Sequence, residues 1–368
     1  MEDKMEEILA QYPIQVTSRK RVRGAILLDT EQGQRLLRNV HGNRYRLEEE
    51  ERIMEHLQSQ GYQWTDQLVR TSKGELCAKD GSGDWWVLRK WHGGRECDMH
   101  ERSQVCQAAG HLAKLHCMLS HAGMDLHEER QMQETDIAGQ EMPLQKKVDL
   151  QAELQVQEIV ASQEREKPQV KRVPLFVKRT RELKRVYNYI RAKRRKNEME
   201  LAILEEYPHY YRQAEEAAAL ENLQHNLTLL EDEGEKQGAV LHGSYNYHNV
   251  LFRGKDIITT SFGNAKVGVQ IMDLYGFLRK AMEKNGWRVD WGIAMLDAYQ
   301  AERRLSSEES HLLYTLLLFP EKYWKQCNFY YNGKKCWMSG KNYDKLLKIQ
   351  KQEEKRMQFL QEMKAYLL

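Results

Sequence analysis

Residues 242–249 ("HGSYNYHN") lie between two apolar runs and carry side chains that could transfer a phosphoryl group. That chemistry needs a carboxylate to orient the attacking hydroxyl and oxygen ligands to hold magnesium. His242, Gly243 and Asn249 have the spacing of such a loop, but the carboxylate position holds Ser244. Because a serine hydroxyl has no useful basicity near neutral pH, the loop has the form of a catalytic site and lacks its base.

The elements before this loop predict a small, strand-rich region. Residues 19–40 alternate apolar and polar side chains around a glycine-containing turn, which predicts a hairpin and a third strand. A helix is expected at about 45–60, and two short strands between 66 and 92. The predicted order is three strands, one helix and two strands, followed by the helix at about 99–119.

The chain after residue 121 is predicted to be mainly helical. Residues 122–172 are rich in Gln, Glu and Lys, which indicates a mobile insertion or a loosely attached helix. A long helical region is expected from about 176 to 230, with a break near Pro208. Short apolar strands flank the loop at 242–249, and the last third is again predicted to be helical.

Three segments, in this order, resemble protein-kinase-like phosphotransferases. The loop at 242–249 resembles that of aminoglycoside and choline kinases, where an Asp two residues after the His is the base and an Asn five further on binds magnesium. Those positions are Ser244 and Asn249. A second loop, "TSFGNAKVG", resembles their metal loop, with Ser261 in place of the metal-binding Asp. Asp273 has the spacing of the Asp that braces the catalytic loop.

This resemblance implies an α+β, bilobal protein-kinase-like fold. We expect a small antiparallel-sheet N-lobe with one helix in residues 1–92, and a hinge with the first C-lobe helix in 93–121. The polar insertion would occupy 122–172. A larger, mainly helical C-lobe with degenerate catalytic and metal loops would occupy 173–368.

Four further segments resemble the CotS family of bacterial spore coat proteins. They are "GRECD", "ELKRVYNYIRAKRRKNEME", "DLYGFLRKAMEKNGW" and "FPEKYWKQCNFYYNGKKCW". The resemblance implies a coat component that is made in the mother-cell cytoplasm, is laid onto the developing spore and has other spore coat proteins as partners.

The missing acids favour a pseudokinase over an active enzyme. Losing a general base costs about 10² to 10⁴ in rate. Magnesium prefers anionic oxygen ligands, so Ser261 and Asn249 should hold metal-bridged ATP weakly. The lysine expected on the third strand is absent; Arg38 is the nearest candidate for a nucleotide contact, with Glu49 or Glu50 as its helix partner.

No cofactor is therefore expected, and ATP with magnesium would be needed only if catalysis is retained. The alternative is an active ATP-dependent phosphotransferase of the aminoglycoside or choline kinase type that uses displaced acids.

Charge is unevenly distributed along the chain. The net charge is only +3, yet residues 171–196 hold twelve Lys or Arg against the single acid Glu182. This stretch is interpreted as a solvated helix face, as a surface for acidic coat partners or, with less support, as a nucleic-acid site at 178–196. The candidate partner contacts are Arg185, Arg191, Arg194 and Arg195, together with Tyr330 and Tyr331 of the separate aromatic-rich segment at 319–337.

Composition excludes several other classes. No apolar run approaches the roughly 20 residues of a membrane span, and the acidic N-terminus does not resemble a secretory signal. Six cysteines without a C-x-x-C pair predict free thiols. His111, His116 and His121 are five residues apart, which does not place two imidazoles on one metal.

Overall fold

The computed structural model describes residues 2–22, 24–40, 45–123, 174–224, 226–332 and 340–368. The chain divides into two compact units. The first comprises Met1–Met124, Asn226–Leu317 and Lys351–Leu368, and the second comprises Asp125–His225 and Leu318–Gln350. The insertion predicted at 122–172 lies, from residue 124 onward, outside the described residues.

The α-helices in the described part of the chain are, in order, α1 (Glu2–Leu9), α2 (Tyr45–Ser59), α3 (Arg102–Met118), α4 (Leu175–Ala192), α5 (Glu198–Gln224), α6 (Asn226–Gln237), α7 (Ile271–Lys284), α8 (Val289–Gln300), α9 (Ser307–Leu318), α10 (Glu321–Asn332) and α11 (Gly340–Leu367). None of these helices is long and apolar enough to cross a membrane.

The strands are β1 (Val16–Val22), β2 (Ala25–Thr30), β3 (Arg35–Val40), β4 (Leu68–Val69), β5 (Ala78–Lys79), β6 (Trp85–Lys90), β7 (Arg95–Glu96), β8 (Val240–Leu241), β9 (Val250–Arg253), β10 (Asp256–Thr259) and β11 (Lys266–Val267). The first six form one antiparallel sheet in the order β1-β2-β3-β6-β4, with β5 also paired to β6. Two smaller sheets, β10-β9-β7 and β11-β8, flank the loops that contain the candidate site. The predicted α+β class with an antiparallel N-terminal sheet is confirmed.

Helix α1 forms part of the core of the N-terminal sheet, and the sequence patterns above did not predict it. Ile8 at its end is fully buried with Leu28, Leu37 and Leu88 of the sheet. Just after the helix, the Tyr12 hydroxyl donates a hydrogen bond to the Trp86 carbonyl oxygen at 3.0 Å. Burial of these apolar side chains against α1 determines which face of the sheet is its inner face. The opposite face of β3 and β6 is therefore the one that points toward α2.

Strand β1 forms one edge of the sheet. Its only partner among the described strands is β2, and every residue after Val16 is exposed. The exposed run includes Arg19, Lys20 and Arg21, and such charged side chains discourage pairing with a further strand.

The first unit contains helices α3, α7 and α8 and the part of α11 from Lys351 onward. Helix α8 approaches two neighbours closely through glycine or small residues. A Cβ at Gly110 of α3 would lie 3.1 Å from the Ala298 carbonyl oxygen, and a Cβ at Gly292 of α8 would overlap the ring of Phe359.

The second unit contains α4, α5 and α10. Phe176, Leu183, Val186 and Ile190 form the buried face of α4. The Tyr323 hydroxyl of α10 donates to the Ile203 carbonyl oxygen of α5 at 2.8 Å. The buried stripe at helical spacing therefore binds α4 to its neighbours and leaves the opposite face to solvent.

The break predicted near Pro208 is wrong, because α5 continues through Pro208 and the interruption lies at 193–197 instead. Helix α5 begins just after this interruption because Asn197 and Glu200 form a reciprocal capping box. The Asn197 side chain accepts from the Glu200 amide at 2.9 Å, and the Glu200 carboxylate accepts from the Asn197 amide at 2.8 Å. Buried Tyr207 and Tyr210 on either side of Pro208 offset the roughly 3 kcal/mol that an internal proline costs a helix.

We expect Gly292→Ala to destabilise the first unit by about 1–3 kcal/mol, because the new methyl group would overlap the fully buried Phe359 ring. Urea unfolding measures the change. Gly276→Ala on α7 is the matched control, since a Cβ there meets nothing within 4 Å. It should instead gain about 0.5–1 kcal/mol from the better helix propensity of alanine. Equal effects of the two substitutions would contradict the packing described.

Candidate functional site

Asp273 fixes the backbone at the start of the loop at 242–249. This side chain, in the first turn of α7, accepts hydrogen bonds from the backbone amides of His242 at 2.6 Å and Gly243 at 3.0 Å. It is buried, so its charge is stabilised mainly by these donors. Gly243 has φ +73°, and a Cβ there would overlap the Asn264 carbonyl oxygen. The loop therefore has one conformation that both residues impose.

His242 links this loop to the strand that precedes Ser261. The Ser244 amide donates to Nδ1 of His242 at 3.1 Å, so the ring proton lies on Nε2, which donates to the Thr260 carbonyl oxygen at 3.1 Å. Burial lowers the pKa of His242, which keeps the imidazole neutral. Both ring nitrogens are used by the backbone, so His242 has a structural role and no nitrogen left for a substrate.

Ser244 occupies the position where the resemblance requires a base. Its hydroxyl accepts a hydrogen bond from the Asn264 amide nitrogen at 2.7 Å. Its carbonyl oxygen accepts from the side-chain amides of Asn246 at 2.8 Å and Asn249 at 2.9 Å. The Asn249 amide nitrogen is thus committed to the shape of the loop, and neither Ser244 nor Asn249 supplies a negative charge.

Ser261 is at the metal-ligand position of the second loop and adopts a left-handed conformation, with φ 69° and ψ 56°. Outside glycine this region is favoured mainly by Asn and Asp. The backbone amide of Ser261 donates to Asp66 Oδ1 at 3.0 Å, and the next residue, Phe262, packs its buried ring on His242 with centroids 4.5 Å apart. The residue at the metal-ligand position therefore supplies no carboxylate.

A buried ion cluster lies between the sheet and α2. Arg89 of β6 donates two hydrogen bonds to the Glu50 carboxylate, each at 2.8 Å, and its guanidinium is 3.6 Å from Asp66. Burial raises the pKa of Asp66 to about 6, against the opposing effect of Arg89. Burial alone would lower the pKa of Arg89, but Asp66 and Glu50 raise it overall. The bidentate pair fixes α2 against β6.

Arg38 lies on β3 opposite Val87 of β6 and faces the same cleft. Its Nε atom is buried without a hydrogen-bond partner, and none of the described carboxylates forms an ion pair with it. Burial lowers its pKa. Glu50, the helix residue that would pair with a strand lysine, is already bound to Arg89, and Glu49 is exposed and does not line the cleft.

These elements enclose a cavity of about 500 Å³. Its walls contain three arginines, two serines that replace the expected acids, and one acid that is paired. The described lining residues are Arg38, Asn39, Val40, Arg46, Leu47, Glu50, Val87, Arg89, Ser244, Ser261, Gly263 and Asn264. The wall is therefore cationic, which suits an anion better than a magnesium ion.

The sequence analysis predicted that five residues share one site, but it missed three further residues. The five are His242, Ser244, Asn249, Ser261 and Asp273. Arg46 and Arg89 line the cavity, and Asp66 holds the metal loop from behind. A signal for Arg89 was present, because Val87 and Arg89 share one face of β6 and Val87 is buried. Spacing of two along a strand predicts that both side chains face the same element.

The partner-surface candidates lie in the second unit. Arg185, Arg191, Arg194 and Arg195 are exposed. Tyr331 is 38% exposed, but Tyr330 is buried and its hydroxyl donates to Glu200, which also pairs with Lys193. The assignment of Tyr330 to the surface is corrected, because this buried hydrogen bond makes it part of the core.

The other histidines and the thiols form no site among the described residues. His111 Nε2 lies 3.0 Å from the Thr259 hydroxyl, and His116 Nδ1 lies 2.7 Å from the Tyr299 hydroxyl. No group of three or more His, Cys, Asp or Glu side chains in the described ranges could hold a metal ion. Five cysteines are free thiols, and Cys336 lies outside the described residues.

Comparison with a family model gives a match over residues 155–363, and that family is described as "Spore coat putative kinase YutH". No functionally curated protein matches the chain by sequence. The match covers more than half of the chain. It confirms the resemblance to spore coat proteins.

Solved structures with the same fold are aminoglycoside phosphotransferases and related kinases. An aminoglycoside phosphotransferase from Alicyclobacillus acidocaldarius has 17% sequence identity and a TM-score of 0.76, covering 98% of this chain and 95% of that one. Spectinomycin phosphotransferase in complex with ADP and spectinomycin has 11% identity and a TM-score of 0.56, covering 94% and 91%. Amicoumacin kinase in complex with AMP-PNP and calcium has 13% identity and a TM-score of 0.54, covering 97% and 92%. These similarities confirm the protein-kinase-like fold.

Replacing Asp273 with Asn should loosen the loop at 242–249. The amide group offers one acceptor where the carboxylate offers two, so at least one backbone donor loses its partner, at a cost of about 1.5–3 kcal/mol. Urea unfolding measures the loss, and amide hydrogen exchange should accelerate at His242 and Gly243. The exposed Asp344→Asn is the control. Unchanged exchange at both amides would contradict the bracing role.

Proposed function

The chain belongs to the YutH family of spore coat proteins, and from this premise we propose that it is a pseudokinase that serves as a structural or assembly component of the bacterial spore coat. The observation that carries the proposal is the pair Ser244 and Ser261 on the wall of one cavity. Both positions at which a phosphotransferase of this fold requires a carboxylate have a neutral hydroxyl.

Phosphoryl transfer would lose two separate contributions at this site. Without a base the attacking hydroxyl is not oriented or deprotonated, a cost of about 10² to 10⁴ in rate. Without a carboxylate at Ser261 the magnesium ion has only neutral oxygen ligands. With both acids missing, the remaining loop has a structural role in our proposal. His242 and Asp273 satisfy hydrogen-bonding groups of the backbone.

An active phosphotransferase would need an acid from elsewhere. Two described acids lie close to the serines, Glu50 on the cavity wall and Asp66 beside the Ser261 amide. Glu50 is bound through both oxygens to Arg89, and Asp66 accepts the Ser261 amide. Releasing Glu50 would break both of its hydrogen bonds to the buried Arg89, and releasing Asp66 would remove the acceptor of the Ser261 amide. Breaking a buried ion pair costs about 3–5 kcal/mol. This geometry supports the pseudokinase over the active enzyme.

The cleft favours an anion that brings no metal with it. Three arginines line it, and the buried Nε atom of Arg38 has no hydrogen-bond partner among the described groups. The spectinomycin and amicoumacin kinases of this fold were solved with nucleotides. In our proposal the cleft of this chain binds phosphate groups through arginine, requires no cofactor for the coat role, and serves binding rather than transfer.

The coat role implies other spore coat proteins as partners, with synthesis in the mother-cell cytoplasm and later residence in the coat. Family membership supports the association with the spore coat.

A single substitution should restore metal binding. Wild-type protein should show no magnesium-dependent thermal shift with ATP, whereas Ser261→Asp should show one of about 2 °C or more at saturating ligand. The left-handed backbone of Ser261 tolerates Asp, so the change adds only the missing carboxylate. Ser261→Asn, of the same shape but neutral, is the control. Magnesium-dependent stabilisation of the wild type, with phosphotransfer abolished by Asn249→Ala, would overturn the pseudokinase assignment.

Removal of the Arg38 guanidinium should weaken anion binding in the absence of metal. Arg38→Met should raise the dissociation constant for tripolyphosphate, measured calorimetrically in the presence of a chelator, by about tenfold, or about 1.4 kcal/mol. Lys20→Met on the exposed β1 strand is the matched control and should bind as the wild type does. Equal affinity of all three proteins would remove the arginine site and leave the pseudokinase assignment untouched.

A further inference from the structure

Helix α4 in the second unit has an exposed basic face. Arg181, Lys184, Arg185 and Arg191 are exposed. At helical spacing, Arg181 and Arg185 lie opposite the buried stripe, and Lys184 and Arg191 lie beside it. Arg194 and Arg195 continue the charge just beyond the helix. From Arg181 to Arg191 the face is about 15 Å long, at the usual rise per residue. We call these six side chains the basic face.

The basic face has no internal counterion in the described part of the chain. Two other cations of this region are paired, Arg179 with Glu321 and Lys193 with Glu200. None of the six side chains of the basic face forms an ion pair with a described carboxylate. Six like charges on one short surface repel one another, and an external anionic surface would relieve this repulsion.

Helix α5, in the same unit, has an exposed acidic face with an apolar centre. Leu201 is 54% exposed, and Glu198 and Glu205 flank it at helical spacings of three and four. Glu215 and Glu216 are also exposed further along, with Arg212 between. We call Glu198, Leu201 and Glu205 the acidic face.

Aromatic side chains lie beside the basic face and provide apolar surface there, as Leu201 does on the acidic face. Tyr189 of α4 contacts Tyr331 of α10 edge to face, with centroids 5.6 Å apart. Tyr331 is 38% and Phe329 is 56% exposed. Arginine next to exposed aromatic rings is the composition enriched in protein interfaces.

We propose that the basic face of α4 in one copy docks on the acidic face of α5 in a second copy, so that the chain associates with itself. Charge complementarity carries this inference, because the two faces have opposite sign and each includes exposed apolar surface. Within one copy the described residues of the two faces form no ion pair with each other, so both remain available to a neighbour. All these residues lie outside the cleft, so the inference does not depend on the loss of catalysis.

Nucleic acid is the competing occupant of the basic face, and the structure favours it less. A single-strand site stacks bases on open aromatic rings. The two tyrosines that border this face are instead packed edge to face on each other. A nucleic acid would also leave the acidic face and Leu201 without a role.

Reciprocal charge swaps test the proposal on the full chain by sedimentation velocity. Arg181→Glu/Arg185→Glu and Glu198→Lys/Glu205→Lys should each raise the dissociation constant for self-association at least about tenfold, because each swap places like charges opposite one another. A mixture of the two variants should associate again, and so should one chain that carries all four changes. This rescue separates a specific contact from a loss of folding.

Raising the ionic strength from about 0.1 M to about 1 M should also dissociate the wild type, since screening shortens from about 10 Å to about 3 Å. Lys351→Glu/Lys355→Glu on the exposed side of α11 is the matched control and should associate as the wild type does. Three results would overturn the proposal: a wild type that stays monomeric at all concentrations, swaps that fail to rescue each other, or association that nuclease treatment abolishes.

Discussion

The buried guanidinium of Arg89 holds together the parts of the cleft that come from distant stretches of sequence. It binds Glu50 of α2 through two hydrogen bonds and lies beside Asp66, which accepts the amide of Ser261. One cation therefore joins the central strand of the sheet, the helix above it and the degenerate metal loop. Because removing one partner would leave a buried charge uncompensated, the cluster stabilises this arrangement only while all its members are present. The shape of the cleft is thus maintained by a buried ion cluster.

Hydrogen bonds within the protein hold the two loops of the candidate site in place. In an active enzyme the metal ion and its carboxylates contribute to holding the two loops near each other. Here His242 donates to Thr260, Asp273 accepts from two amides of the first loop, and Asn264 donates to Ser244. These contacts are made within the protein and need no ligand. The positions of the two loops therefore do not depend on acids at residues 244 and 261.

Much of the site could be predicted from sequence because it is local. His242, Ser244 and Asn249 lie on one loop, and Ser261 and Asp273 follow at fixed spacings. Arg89 and Asp66 were missed because their partners are distant in sequence, and an arginine inside an alternating strand has the same pattern whether it faces solvent or a carboxylate. The helix break predicted at Pro208 was wrong for a related reason. Helix propensity depends on the local sequence, whereas the burial of Tyr207 and Tyr210 that stabilises α5 depends on tertiary packing. The capping box at Asn197 and Glu200 was readable and gives the true boundary.

The edge strand β1 has a further consequence if the chain assembles into a spore coat layer, as we propose. An unpaired strand edge is a template on which any neighbouring chain can add a strand, and crowding makes such encounters frequent. The run Arg19, Lys20 and Arg21 would bring like charges together whenever two of these edges met in register. Sheet-to-sheet polymerisation, the route to amyloid, is therefore disfavoured from the start. Order in such a layer then has to come from side chains that discriminate between surfaces, since backbone pairing would accept any partner.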